Sequence, residues 1–226
     1  MSVHQWAADL TQAVFETWET ELPNDKEGFK LFNSPVQQNP KVLTAGTNPG
    51  SSATRNLPRD HMVRFQNGNF APPDRHEFIT KDYDLAEEFS EGLFADRTDH
   101  IEQTVHTNRY FIHRQSEDDL EPRLETFNKF CEEKFLKIIE RLSPELVLCH
   151  SLKSYNFLKQ EYGFETVERI LRTEPDRSGK YLLRISDHEL PQVLWVVHPS
   201  SKHHDDLNDE EWATVRDEVY ARVDFD

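Results

Sequence analysis

The chain has 226 residues, 36% of them hydrophobic and 11% aromatic, and a formal net charge of −16 at pH 7. That length and apolar content suit a single domain with a sizeable core. No run approaches the roughly 20 apolar residues of a membrane span, and the opening MSVHQWAADLTQ lacks the basic and apolar regions of a signal peptide. Cys131 and Cys149 form no CxxC pattern, which argues against a zinc ribbon or iron–sulfur cluster and fits a reducing cytoplasm. No cofactor, metal or membrane is expected, and the chain is expected to be a cytoplasmic monomer.

In chain order, residues 3 to 22 carry Trp6, Leu10, Val14, Phe15, Trp18 and Leu22 at helical spacing and open residues 1–40 as a helical arm. KVLTAG, ending at Gly46, reads as a short strand. Residues 51 to 82, with Pro58, Gly68, Pro72 and Pro73, read as a long irregular connection. A helix is expected over about 84–103, then a strand over 104–114 (TVHTNRYFIHR) from its β-branched and aromatic content. ETFNKFCEEKFLKIIERL is the clearest helix, with Phe127, Phe130, Leu136, Ile139 and Leu142 along one side. ELVLCH follows as a strand, SLKSYNFLKQEY as a helix, QVLWVVH as a strand, and a last helix covers about 209–222. Alternating strands and helices predict an α/β fold over residues 1–226. It is a three-layer α/β/α domain with a short, mostly parallel central sheet. Sites in such folds lie beyond the carboxyl ends of the strands.

The charge is uneven. Residues 51 to 76 hold Arg55, Arg59, Arg64 and Arg75 against only Asp60 and Asp74, and HPSSKHH at 198–204 has no acid. Acid concentrates in SEDDLEPRLE and DDLNDEE. Two explanations stay open: an ordinary acidic cytosolic protein, or one from a salty cytoplasm whose acidic surface spares its working face. A net charge of −16 by itself weighs against a nucleic-acid partner, because phosphate attraction normally supplies most of the affinity for nucleic acid.

Two segments share one shape. KVLTAGTNPGSS (41–52) and QVLWVVHPSS (192–201) are apolar runs that break into a polar residue, a Pro and hydroxyls. Three strands carry unusual polar side chains: Asn48 after the first, Asn108 in the second and His198 after the last. Singly each has a plainer role, Asn-Pro-Gly as a turn above all. Together, GTNPG, HTNRYF, PELVLCHSLKSYNFL and HPSS resemble, in order, the motifs of the uracil-DNA glycosylase superfamily, in its branch with Asn in the first motif. The likeness covers residues 41 to 205.

The resemblance implies a monofunctional DNA glycosylase that hydrolyses the N-glycosidic bond of uracil or a related damaged base flipped out of the stack, leaving an abasic site. Asn48 and His198 would be catalytic. A neutral His198 donates to the base O2 as negative charge develops there, while the Asn48 carboxamide, which does not ionise, can only orient water. Turnover should therefore be slower than in an Asp-bearing relative. The Asn108 carboxamide matches the N3–H and O4 edge of uracil and mismatches cytosine. Gly46, Thr47 and Gly50 would line the base, and Phe65 and Phe70 are the candidates for its aromatic floor. Ser51, Ser52, Arg55, Ser200, Ser201, Lys202 and His203 would contact DNA. SSKHH offers no apolar residue to wedge into the vacated stack, a departure from the family. His198, His203 and His204 lack Cys or carboxylate at ligand spacing, so no metal is expected. The rival readings are a catalytically silent protein of this fold that binds single-stranded or damaged DNA, and a hydrolase of modified bases or nucleosides.

Gly50 carries a prediction of its own. Strictly uracil-specific relatives have a bulky aromatic at this position to exclude 5-substituents. Its replacement by glycine predicts that at least one 5-substituted uracil is accepted and that Gly50→Tyr narrows the range. Rates on uracil and 5-hydroxymethyluracil in otherwise identical duplexes test this. Rejection of the substituted base by wild type by several orders of magnitude would defeat it.

Overall fold

The structure, a computed structural model, describes residues 1–25, 28–49, 57–81, 83–113, 124–173, 180–198 and 207–225, with the side chains of 57–61 excepted. Helix α1 spans Val3–Glu21; the Ser2 hydroxyl accepts from Gln5 N at 3.2 Å and so satisfies a donor that the first turn cannot. Strand β1 (Val42–Gly46) is followed by α2 (Leu57–Gln66), α3 (Glu77–Thr80), α4 (Asp84–Glu88), a π-helix (Phe89–Leu93) and α5 (Thr98–Ile101). Then come β2 (Thr104–Asn108), α6 (Glu125–Leu142), β3 (Leu146–Cys149), α7 (Leu152–Tyr162), β4 (Thr166–Leu171), β5 (Tyr181–Ser186), β6 (Gln192–Val196) and α8 (Asp209–Tyr220).

The strands form one six-stranded sheet in the order β2-β1-β3-β6-β5-β4. β1 runs parallel to β2 and β3, and β3 parallel to β6, while β5 pairs antiparallel with both β6 and β4. The expected α/β fold with a mostly parallel sheet between helices is what the chain adopts. β1, β2 and β3 are buried along their whole length, as strands covered on both faces must be. α1, α6 and α7 form one layer; α3, α4, the π-helix, α5 and α8 form the other. Among the described residues no helix is long and apolar enough to cross a membrane.

Several local expectations are corrected. The helix expected over 84–103 is broken into α4, the π-helix and α5, because Ala95 and Asp96 take left-handed φ values of 48° and 58°. The strand expected over 104–114 stops at Asn108, where the chain folds over the end of β1: Arg109 N donates to Gly46 O at 3.0 Å and Tyr110 N to Thr47 O at 2.7 Å. The connection expected to be irregular over 51–82 contains α2 and α3. On α6, Phe127, Ile139 and Leu142 are buried as expected, but Cys131, Phe135 and Ile138 complete the inner face, while Phe130 and Leu136 are only half-buried. The edge of β2 is not left open. Phe29 bridges Ile112, Phe32 bridges Thr107, and Asn33 N donates to His106 O at 2.9 Å.

Candidate functional site

Four parallel strands end side by side, and each delivers a polar residue there. β1 leads through Gly46 and Thr47 to Asn48; β2 ends on Asn108, in register with Gly46; β3 leads to His150 and Ser151; β6 leads to His198. The structure therefore brings Asn48, Asn108 and His198 to one end of one sheet. Gly50, Ser51, Ser52, Arg55, Ser200, Ser201, Lys202 and His203 lie outside the described residues.

The floor is tied together by hydrogen bonds across the strand ends. His150 N donates to Ala45 O at 3.0 Å, and Ser154 Oγ donates to Gly46 O at 2.8 Å. The Thr47 and Ser151 hydroxyls are in contact, and Ser151 Oγ also caps α7 by accepting from Ser154 N. These bonds hold β1, β3 and α7 in one register beneath Asn48. The Asn48 carboxamide is half-buried, with Nδ2 donating to Pro49 O at 3.1 Å.

Asn108 is 3% exposed. Gly46 faces it so closely that a Cβ there would collide with the Asn108 carboxamide and lie 2.6 Å from His150 Cε1. Glycine is the only residue this approach admits. Arg109, buried beside Asn108, donates from a guanidinium nitrogen to Lys153 O at 2.7 Å and lies over the Tyr110 and Phe157 rings. It anchors the chain after β2 onto α7 instead of reaching toward a ligand.

His150 is a residue the sequence reading does not single out. It is 4% exposed, and neither ring nitrogen has a hydrogen-bond partner among the described residues. Its ring is edge-on to His198, His106 and Phe89, with centroids 5.5, 5.5 and 5.6 Å away. Burial, with the charges of His106 and His198 adding to it, pushes the His150 pKa well below its usual value, so the ring is neutral. Behind it, the Glu77 carboxylate contacts His106 Nδ1 and is paired with Lys30 Nζ at 3.2 Å. A row of imidazoles thus runs from a buried ion pair out to the exposed His198. The signal for His150 was a polar residue directly after the apolar LVLC, the same break that marks Asn48 and His198, but without their proline.

Phe65 and Phe70 belong to another cluster. Phe65 stacks on Phe29 at 4.9 Å and on Phe70 at 5.7 Å, with Phe15 of α1 near both. No ring contact links either of them with His150. The aromatics that do border the imidazole row are Phe78 and Phe89, stacked at 5.1 Å, with Phe78 beside His106 and Phe89 against Trp212 of α8. Phe89 opens the π-helix, a widened turn of a kind often found at functional sites. Among the described residues no group of His, Cys, Asp and Glu is arranged to hold a metal ion.

Compared with known families and with curated proteins, the chain gives no match.

Proposed function

We propose that the protein is a monofunctional DNA glycosylase that hydrolyses the N-glycosidic bond of uracil, or of a related damaged base, flipped out of DNA. The observation that carries this reading is the convergence of Asn48, Asn108 and His198 on neighbouring strand ends. Each has a role in base release. Asn108, a buried carboxamide with both a donor and an acceptor, suits the N3–H and O4 edge of uracil. Asn48 orients water without ionising, and His198 at the open end donates to O2 as the base leaves as an anion.

The charge balance fits a DNA partner only through the local distribution. With a net charge of −16, phosphate contacts must come from the arginines after the first motif and from the acid-free stretch around His198.

The deciding experiment is an oligonucleotide carrying one uracil, incubated with the protein and then treated with alkali. Strand cleavage at the uracil is the expected result. Binding without cleavage would instead identify a silent DNA-binding protein, and release of base only from free nucleosides would identify a nucleoside hydrolase.

His198 carries a sharper prediction. Removing one preorganised donor to a developing anion costs about 10²–10³ in rate, so His198→Ala should slow single-turnover release by that factor. An unchanged single-turnover rate would remove His198 from the reaction.

A further inference from the structure

Resting on the glycosylase reading, we propose that His150 is a positioning residue for His198: its ring N–H bonds the His198 nitrogen that faces it and so fixes His198's own proton on the outward nitrogen, toward the base. Nothing in the resemblance assigns His150 a role.

Three observations converge on this residue. Its two nitrogens are buried and without partners among the described residues, at the centre of the candidate site. A buried polar group without a partner is costly, and a phenylalanine of similar shape would avoid that cost. The ring is also pinned in place, packed over Gly46 on one side and edge-on to Phe89 on another. Finally, its centroid lies 5.5 Å from that of His198. An N–H···N bond of about 2.9 Å between two imidazoles puts their centroids roughly 5 Å apart. A small turn of the exposed His198 ring closes the bond.

The tautomer is the point of the arrangement. A neutral imidazole has one N–H and one acceptor nitrogen, and which is which depends on the bond made by the other side. His198 can donate to the leaving base only if its proton is on the outward nitrogen. Burial keeps His150 neutral, so it has a single proton to give. The other nitrogen of His150 is left as an acceptor, in a ring packed edge-on to His106, whose Nδ1 is engaged by Glu77.

The test uses His150→Phe, which keeps a ring and removes both nitrogens, and His150→Gln, which restores a donor. For the Phe variant we expect an unchanged or higher melting temperature and binding to uracil-containing DNA within a few-fold of wild type. Its single-turnover rate should fall roughly 10–100-fold, the size of effect seen when the partner that orients a metal-bound histidine is lost, and the Gln variant should recover part of it. Long-range ¹⁵N–¹H spectra of the wild type should show His198 with one nitrogen protonated, and spectra of the Phe variant a mixture of tautomers. This spectroscopic readout does not depend on activity, and the wild-type spectrum alone decides if the variant does not fold. Full activity in a folded Phe variant, or a mixture of His198 tautomers in the wild type, overturns the role of His150 and leaves the glycosylase reading intact. A fixed tautomer that is lost in the Phe variant, in a protein that never cleaves uracil DNA, keeps the pairing and removes the glycosylase reading.

Discussion

Replacing Asn48 by alanine is expected to reduce base release below detection while leaving binding to uracil-containing DNA within a few-fold. The side chain stands directly after β1, at the centre of the four strand ends, and its Nδ2 bond to Pro49 O orients the carboxamide. In the proposed reaction its carbonyl oxygen holds the attacking water, a contact that matters as the sugar gains positive charge and little before. An interaction made mainly in the transition state lowers the chemical rate and not ground-state affinity. Asn48→Asp supplies the contrasting case. A carboxylate can accept the water's proton as well as orient it, and general-base assistance is typically worth about 10²–10⁴ in rate. The aspartate variant should therefore equal or exceed wild type where the alanine variant is dead. Single-turnover kinetics beside a binding titration on the same oligonucleotide separate the effects. Equal losses in binding and in rate for Asn48→Ala would make the residue a structural turn.

The parts of this fold that were legible in the sequence are those whose burial is uniform. β1, β3 and β6 are apolar runs because helices cover both faces, and α6 and α8 show one apolar stripe each. β4 and β5 were not legible. They pair antiparallel at the sheet's edge, and TVERIL sets an exposed Val167 beside Glu168 and Arg169, an order that no core pattern requires. Similarly, the segment around Phe29 and Phe32 covers the edge of β2 through two isolated bridges, a contact set by tertiary packing and not by any local period. At the site, Asn48 and His198 could be found because each follows an apolar run that breaks into a proline turn, and Asn108 only through the likeness of HTNRYF to a known motif. The Glu77–His106 contact could not, since neither partner's neighbours announce the other. The floor of the site thus depends on long-range packing that spacing does not encode.

That buried contact is where the largest stability effect is expected. Glu77 is 6% exposed and holds Lys30 and His106 together directly behind the strand that ends in Asn108. Burial would raise its carboxyl pKa, but the opposing pull of His106 and Lys30 wins and brings it to about 2. Removing one partner of a buried ion pair strands the others and typically costs about 3–5 kcal/mol, a large part of the roughly 5–15 kcal/mol that keeps a domain folded. Glu77→Gln should therefore lower the melting temperature by roughly 10 °C at neutral pH. The pH dependence has a definite sign. Because the folded value is depressed, the stabilisation from Glu77 is complete above the ordinary 4.5 and is lost as pH falls from there toward 2. His76 acts in a higher window. Burial, helped by the charge of His106, lowers its pKa from 6.5 to about 3, so its contribution is complete above 6.5 and drains away as pH falls toward 3. Wild type should begin to lose stability just below pH 6.5 and lose it more steeply below 4.5. The Glu77→Gln variant should start lower and keep only the first phase. Melting temperatures of both proteins from pH 8 to pH 3 provide the measurement. A variant as stable as wild type at neutral pH, or a wild-type curve with no steeper loss below pH 4.5, would show that the ion pair does not support the floor of the site.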